Sequence, residues 1–460
     1  MSDLQTIDRY LQQSQPKHLE SLKQLLRIPS VSADPTASEA VRAAALSVLD
    51  TLSSAGLHTE LIETDGPPLV YAETPPVPGK PVALVYGHYD VQPPDPLDLW
   101  LTPPFEPTER DGNLYARGST DDKGQMLTHV HGLAAWLASG LELPLQVKFL
   151  IEGEEEVGSE QLEKYLLRPE AAEKLACDVV VISDSSQYAA GQPAITYGLR
   201  GIAYFELHVD GPKADLHSGS FGGAVNNPAV ALSKLLSAMV DADGRIQLPR
   251  FYDNVRPLAD SERNMWQQLG FSDSAFAQQL GVEALVGEAG FTTLERRWAR
   301  PTFDIHGLTS GYQGEGGKTI VPAKASAKIS FRLVPDQKPA EVAEQLKEFV
   351  KQHTPPGVRV RVVDLHGGSG VVVDPHSPFI AAAQQAISAA FGKPAVLIRE
   401  GGSIPIVAQM VDRLKSDVLL LGWGLDDDGA HSPNEKFCID DFYRGIRASA
   451  HLWGALATVG

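Results

Sequence analysis

Short apolar runs that are rich in β-branched residues recur along the chain and alternate with segments of helical periodicity. Five of these runs, at 82–86, 147–151, 179–182, 395–398 and 418–421, are each followed by a polar cluster. Continuous apolar runs separated by helices predict strands that are buried on both faces of a mostly parallel sheet. Because sites lie at the carboxyl ends of the strands in such sheets, the polar clusters predict one shared site.

The pattern changes to strict alternation between about residues 200 and 370. Apolar residues occupy every second position at 203–209 and again at 325–333, with polar or aromatic side chains between them. A period of two predicts antiparallel strands with one exposed face. Helical stretches at 228–240 and 340–353 lie between these strands. The predicted fold class is therefore α/β, with a mostly parallel central sheet flanked by helices in 1–199 and 373–460, and an inserted α+β domain in 200–372.

Length and charge narrow the class of protein. A chain of 460 residues exceeds the ~250 to 300 residues at which single cores stop growing, which agrees with two domains. A net charge of −19 disfavours nucleic acid and anionic membrane surfaces as partners. Two cysteines, Cys177 and Cys438, are too few for a disulfide framework and favour a reducing compartment.

Two further features of the sequence concern its location. The first residues lack the basic and apolar regions of a secretory signal. No apolar run approaches the ~18 residues of a membrane span. We therefore expect a cytoplasmic protein without a membrane partner.

Histidines and carboxylates follow the predicted strands and suggest a metal centre. The candidates are His88, Asp90, Asp121, Asp122, Glu154, Glu155, Glu156, Asp184 and His431. So many carboxylates at one edge of a sheet repel one another unless cations compensate them. Imidazole and carboxylate ligands suit Zn²⁺, or Mn²⁺ and Co²⁺, and the excess over one tetrahedral shell indicates two ions that share a bridge. Each motif alone has a simpler interpretation: a structural histidine at His88, and a solvated acidic turn at 154–156.

Eight motifs connect the chain to a known family. In order they are YGHYDVQP, ARGSTDDKGQ, IEGEEEVGS, VISDSS, DLHSGSFGG, FRLVP, REGGSIP and HSPNE, between about residues 80 and 435. In these motifs the chain resembles the co-catalytic zinc dipeptidases related to cytosolic non-specific dipeptidase and carnosinase, which are M20-type metallopeptidases. The resemblance implies that 1–199 and 373–460 form the catalytic domain and that 200–372 is a lid and dimerisation domain.

The resemblance also implies a ligand set. One divalent ion, most simply Zn²⁺, would bind His88 and Asp184, a second would bind Glu156 and His431, and Asp121 would bridge the two ions. The family also has a cis peptide at the position of Asp121-Asp122.

Two further residues receive catalytic roles from the resemblance. Glu155 would be the general base that takes a proton from a metal-bridged water. Asp90 would accept the second N–H of the His88 imidazole and fix its tautomer. If 154–156 were extended, Glu155 and Glu156 would point in different directions, so that one could bind metal while the other takes the proton.

Substrate binding is predicted to involve the inserted domain. The resemblance implies that His217 crosses from a partner subunit to stabilise the oxyanion, which makes a homodimer part of the active site. Arg332, on the polar face of its strand, would bind the substrate carboxylate. Gly402 and Ser403 would bind the same carboxylate, and Thr319 and His366 would line the pocket. From the sequence alone, His217 could equally be an ordinary histidine, Arg332 a solvated charge, and 401–403 a tight turn.

The resulting hypothesis is a two-metal hydrolase that cleaves small peptides as a broad-specificity dipeptidase. The alternative within enzymes is a deacylase of N-acyl amino acids, which uses the same metals and base and differs only around the acyl group. A non-catalytic binding protein would lack at least one ligand or the base, whereas every candidate is present.

Overall fold

The computed structural model describes residues 3–402 and 404–459 and forms two compact units. The first unit comprises Met1–Tyr197, Val373–Ile398 and Gln409–Gly460. The second comprises Gly198–Val372 and Arg399–Ala408. The second unit thus combines one long internal segment with a short stretch from near the end of the chain.

The helices are numbered in chain order. They are α1 (Asp3–Leu26), α2 (Ser38–Ser54), α3 (Lys123–Ala138), α4 (Glu160–Leu166), α5 (Pro169–Lys174), α6 (Ser218–Phe221), α7 (Pro228–Ser237), α8 (Asp260–Gln267), α9 (Asp273–Leu280), α10 (Thr293–Ala299), α11 (Pro339–His353), α12 (Pro378–Phe391), α13 (Pro405–Leu414) and α14 (Ile439–Leu456). Short 3-10 helices cover Pro35–Ala37, Leu97–Leu99 and Glu155–Val157. Within residues 3–402 and 404–459, no helix combines the length and apolar composition that a membrane crossing needs.

The strands are likewise numbered along the chain. They are β1 (His58–Ile62), β2 (Leu69–Glu73), β3 (Val82–His88), β4 (Thr108–Arg110), β5 (Asn113–Tyr115), β6 (Gln146–Glu152), β7 (Val179–Ser186), β8 (Ala194–Leu199), β9 (Gly201–Asp210), β10 (Leu216–His217), β11 (Thr302–Ser310), β12 (Ile320–Val321), β13 (Lys324–Leu333), β14 (Arg359–Gly368), β15 (Val371–Val372), β16 (Val396–Glu400), β17 (Asp417–Gly424) and β18 (Lys436–Cys438).

The large sheet is mixed, with its parallel pairs in the middle. Its order is β1-β2-β6-β3-β7-β17-β8-β15, and β16 pairs with β8. The neighbours β6, β3, β7 and β17 run parallel, whereas β2 and β8 are antiparallel to the strands that they flank. The predicted α/β class is confirmed, and antiparallel pairs occur outside the four parallel central strands.

The central strands are apolar because helices pack against them. Strand β6 is buried along its whole length, and α3 packs on β3 and β7 while α14 packs on β17. Helix α3 is itself buried almost all round, and Lys123 in its first turn donates to the carbonyl oxygens of Leu25 and Ile28. A buried ammonium requires such partners. The lysine thereby fixes the end of α1 beside the start of α3.

The second unit contains a four-stranded antiparallel sheet in the order β11-β13-β9-β14. The apolar positions predicted by the alternation, 203–209 in β9 and 325–333 in β13, are buried in its core, and the residues between them are more exposed, except for the buried Ser330. Helices α7 and α11 pack against this sheet. A separate short pair, β10 and β12, places His217 opposite Ile320.

Candidate metal centre

The five predicted ligand residues lie together in the first unit. They form two groups, His88 with Asp121 and Asp184, and Asp121 with Glu156 and His431. In each group the ligand atoms lie within 4.8 Å of one another. His88 ends β3 and Asp184 lies in β7, so parallel pairing of these strands brings the two side chains to the same edge of the sheet.

Asp121 is the residue that the two groups share. Its Oδ1 lies 3.2 Å from Nε2 of His88, and its Oδ2 lies 2.9 Å from Nε2 of His431. Nε2 of His431 also lies 3.3 Å from Oε2 of Glu156. The two oxygens of one carboxylate therefore face two different imidazoles. This is the arrangement that a bridging ligand requires.

The chemistry of the site fits divalent cations. Nε2 of His88 is buried and has no aligned hydrogen-bond partner among residues 3–402 and 404–459, although Asp121 lies nearby. A buried polar atom without a partner is costly unless something else binds it. Imidazole nitrogens and carboxylate oxygens within a few ångströms of one another are the donors that Zn²⁺, Mn²⁺ and Co²⁺ accept.

The crowded carboxylates shift one another's pKa values. Burial, together with the charges of Asp121 and Asp122, raises the pKa of Asp184 well above its usual value. Burial acts in the same direction on Asp121, but its contacts with His431 and His88 outweigh burial and lower its pKa. Hydrogen bonds to Asp121 and Glu156 raise the pKa of His431 to about 10. Divalent cations would compensate this excess of negative charge.

His431 differs from the other four candidates in its exposure and backbone. Its side chain is 57% exposed, whereas that of His88 is fully buried. Its φ of 61° lies in the left-handed region, which a non-glycine residue adopts at some cost. Such conformations concentrate at functional sites. The backbone of this loop is therefore held in place by surrounding contacts.

Asp90 contacts His88 through its main chain and its side chain. Nδ1 of His88 lies 3.1 Å from the main-chain carbonyl oxygen of Asp90 and 3.3 Å from its Oδ1. The hydrogen bond goes to the carbonyl group, and the carboxylate lies close to the same ring nitrogen. The carboxylate itself accepts the backbone N–H groups of Glu155 and Glu156, at 3.3 and 3.2 Å. Asp90 thus holds the acidic turn against the end of β3.

The acidic turn is helical, so the condition of an extended stretch is not met. Glu155 and Glu156 lie in the 3-10 helix that follows β6. Successive side chains in such a helix still point in different directions, at about three residues per turn. Oε2 of Glu156 accepts a hydrogen bond from Gln92, and burial raises the pKa of Glu155 to about 7. Glu154 points elsewhere, because its carboxylate accepts the N–H of Gln161 at the start of α4.

Three acidic residues next to the ligands, Asp122, Glu152 and Glu435, received no role in the sequence analysis. The peptide between Asp121 and Asp122 is cis, as the resemblance implied, and Oδ2 of Asp122 accepts the N–H of His88. Glu152, at the end of β6, is buried against the hydroxyl groups of Tyr86 and Ser159, and burial raises its pKa to about 8. Glu435 is buried four residues after His431. Its place in the HSPNE motif was the only available signal.

The second unit contains the predicted substrate-binding residues. His217 and Thr319 are neighbours, since Ser218 donates its N–H to the carbonyl oxygen of Thr319. Nδ1 of His217 accepts the N–H of Gly219 at 3.0 Å. A neutral imidazole that accepts through Nδ1 carries its proton on Nε2. The exposed ring of His217 can therefore offer a donor to solvent or substrate.

Arg332 and its surroundings form another part of the second unit. Arg332 is half-buried on β13, and burial lowers its pKa. Arg200, which the sequence reasoning missed, donates to the carbonyl oxygen of Gly401 at 3.2 Å and so holds the chain beside Gly402. His366 is exposed on β14, where its ring stacks on Tyr204. Ser403 lies outside the described residues.

Comparison with known proteins finds peptidases by family model, by sequence and by structure. The model of the family described as Peptidase family M20/M25/M40 matches residues 84–455. The Cys-Gly metallodipeptidase dug1 of Schizosaccharomyces pombe is 35% identical over 457 residues, covering 95% of this chain and 95% of that protein. The crystal structure of human carnosine dipeptidase 1 has a TM-score of 0.85 at 32% identity and covers 100% of both chains. The M20 family metallo-carboxypeptidase Sso-CP2 from Sulfolobus solfataricus has a TM-score of 0.86 at 32% identity, covering 96% of this chain and 99% of that chain.

Proposed function

The chain belongs to peptidase family M20/M25/M40, and from this premise we propose that it is a two-metal dipeptidase of broad specificity. Its relatives include a Cys-Gly metallodipeptidase and a carnosine dipeptidase. The observation that carries the proposal is the Asp121 carboxylate, whose two oxygens face His88 and His431 in two separate ligand groups.

We assign one ion to His88, Asp121 and Asp184 and the other to Asp121, Glu156 and His431. Zn²⁺ is the ion that we propose, and Mn²⁺ and Co²⁺ fit the same donors. When bound, such ions would supply Lewis acidity, which would lower the pKa of a nearby water and polarise the scissile carbonyl group. Asp90 supports the centre by binding the backbone of the Glu155–Glu156 turn.

Glu155 is the proposed general base. Its carboxylate is adjacent in sequence to the ligand Glu156, and its backbone N–H is fixed by Asp90. In this position Glu155 takes the proton of the attacking water and then returns it to the leaving amine, which completes hydrolysis of the peptide bond. Glu156 is anchored separately, by the side chain of Gln92.

Substrate recognition is assigned to the second unit. Arg332 would pair with the free carboxylate of a dipeptide, with Gly402 and Ser403 as further donors. Thr319 and His366 would contact the rest of the substrate. The Nε2–H of His217 would donate to the developing oxyanion in the active site of a partner subunit, so that the enzyme works as a homodimer.

A substrate panel tests the dipeptidase proposal against its alternative. Xaa-Gly and Gly-Xaa dipeptides, N-acetyl amino acids and longer peptides are compared by kcat/KM with the Zn²⁺, Mn²⁺ and Co²⁺ forms. We expect kcat/KM for dipeptides to exceed that for acetylated amino acids by about tenfold or more. The reason is that a site which binds both termini of the substrate selects for its length. Preference for the acetylated set would favour the deacylase. Equal cleavage of longer peptides would favour a carboxypeptidase such as the Sso-CP2 relative.

Subunit mixing tests the role of His217. Glu155→Ala and His217→Ala variants, each expected to be inactive alone, are mixed under conditions that allow subunit exchange. If His217 acts in the partner's site, each mixed dimer has one complete site, so activity should return to about one quarter of wild type at equal amounts. Absence of recovery, with exchange verified by mass spectrometry, would place His217 in its own subunit's site or outside the site.

A further inference from the structure

We propose that Glu435 is a positioning residue, which holds Asp121 between the two ligand groups by joining the loop of His431 to the loop of Asp121. This inference rests on the proposed function, since it concerns the same metal centre. Glu435 lies four residues after His431 and is fully buried. It belongs to neither candidate ligand group.

The hydrogen bonds of Glu435 all point to the segment that leads into Asp121. Oε1 accepts the N–H groups of Thr120 and Asp121, at 2.9 and 3.2 Å. Oε2 accepts the N–H of Gly118 and a guanidinium N–H of Arg117, both at 2.8 Å. The main-chain carbonyl oxygen of Glu435 also accepts the N–H of Ala116. This one residue therefore fixes the backbone path of the segment that ends at the shared ligand.

Arg117 extends this connection to a third loop. Its side chain is 1% exposed, and its second terminal nitrogen donates to the carbonyl oxygen of Pro93 at 3.2 Å. Pro93 follows His88 by five residues. The buried pair of Arg117 and Glu435 therefore ties together the loops that carry His88, Asp121 and His431. Breaking a buried ion pair of this kind leaves an uncompensated charge, so the connection resists displacement.

Glu435 acts on the metal centre through the backbone of Asp121. Both of its oxygens already accept two donors each, which accounts for the acceptor capacity of a carboxylate. It is therefore not a sixth ligand. Residues that hold metal ligands in place typically change metal affinity by about 10- to 100-fold when they are removed. A purely structural ion pair would instead change folding stability and leave the affinity of the folded protein for metal unaltered.

The second unit offers a matched control. Glu288 is also buried, and its carboxylate accepts two N–H groups of Arg300 at 2.6 and 2.8 Å and one of Arg245 at 3.2 Å. It lies in neither ligand group. A Glu288→Gln substitution removes a buried carboxylate of the same kind without touching the loops of the metal centre.

The experiment measures metal affinity in the full-length protein. Zn²⁺ is titrated in competition with a chromophoric chelator, and the visible absorption of the Co²⁺ form reports ligand geometry. We expect Glu435→Gln to weaken both ions by about 10- to 100-fold, because Asp121 belongs to both groups, and to change the Co²⁺ spectrum. Glu288→Gln should lower the melting temperature and leave both readouts at wild-type values.

Several outcomes decide the proposal. Wild-type affinity and spectrum in Glu435→Gln, or weakening of one ion alone, would overturn it. If Glu435→Gln does not fold, Arg117→Lys serves as a second variant. It keeps the positive charge but lacks the two guanidinium nitrogens that bind Glu435 and Pro93. That variant must then weaken both ions severalfold, and unchanged affinity would overturn the proposal. The stoichiometry of the wild-type protein is measured first, since binding of fewer than two ions would contradict the proposed function itself, whatever Glu435 does.

Discussion

Replacement of Glu155 by alanine is expected to lower kcat/KM for dipeptides by about 10³-fold or more, while the metal content stays at the wild-type level. Glu155 belongs to neither ligand group, so its loss should not release an ion. It is, however, the carboxylate that we assign to proton transfer, and without it neither water activation nor protonation of the leaving amine has a local catalyst. Steady-state kinetics and elemental analysis of the same preparation separate the two effects.

Glu154→Ala is the matched control for this prediction. Glu154 is the preceding residue in the same acidic turn, but its carboxylate caps α4 through the N–H of Gln161. We expect this variant to retain activity within a few-fold of wild type and to lose some stability, as cap substitutions commonly do by about 1 kcal/mol. If Glu154→Ala is inactive and Glu155→Ala remains active, the base has been assigned to the wrong glutamate.

Substitution of Asp121 by asparagine should release both ions at once and lower activity by about 10⁴-fold or more. The reason is geometric, since Oδ1 faces His88 and Oδ2 faces His431. His431→Ala, by contrast, removes a ligand from one group only, and should leave about one ion per chain after dialysis. Metal analysis after exhaustive dialysis distinguishes the two variants.

Asp427→Asn controls for the loss of one negative charge near the centre. The Asp427 side chain is 69% exposed and pairs with Lys436, and it belongs to neither ligand group. We expect wild-type metal content and activity in this variant. Retention of one tightly bound ion by Asp121→Asn would assign Asp121 to a single group and end the two-ion proposal. So would full activity of the wild-type enzyme after thorough chelation.

The elements were predictable where local periodicity is strong. The apolar run 82–86 lies in β3, which pairs with β6 and β7 at its edges and is covered by α3. The alternation at 203–209 lies in β9, whose apolar face is the core of the second unit. Pairing direction was less predictable: β2 and β8 are antiparallel to their central neighbours, and a strand buried in an apolar layer has the same composition in either direction.

The candidate site was predictable in its residue types and less so in its connections. The motifs selected the five residues that the structure brings into two groups, although their roles as ligands stay predictions. The acidic turn at Glu155 is helical rather than extended. This difference arises because a turn's backbone path depends on what lies next to it, which the local sequence of 154–156 does not specify.

By itself, the sequence determined the α/β class, the alternating strands of the inserted segment and the carboxylates and histidines available for a metal centre, because periodicity and residue chemistry are properties of neighbours along the chain. Only the tertiary structure decided the mixed pairing of the sheet, the two-sided position of Asp121 and the connection from Glu435 through Arg117 to Pro93. These depend on hydrogen bonds between distant residues. Arg117 and Glu435, for example, are 318 positions apart in the sequence and come into contact only in the folded chain. Their pairing matters because a buried charge without a partner is costly.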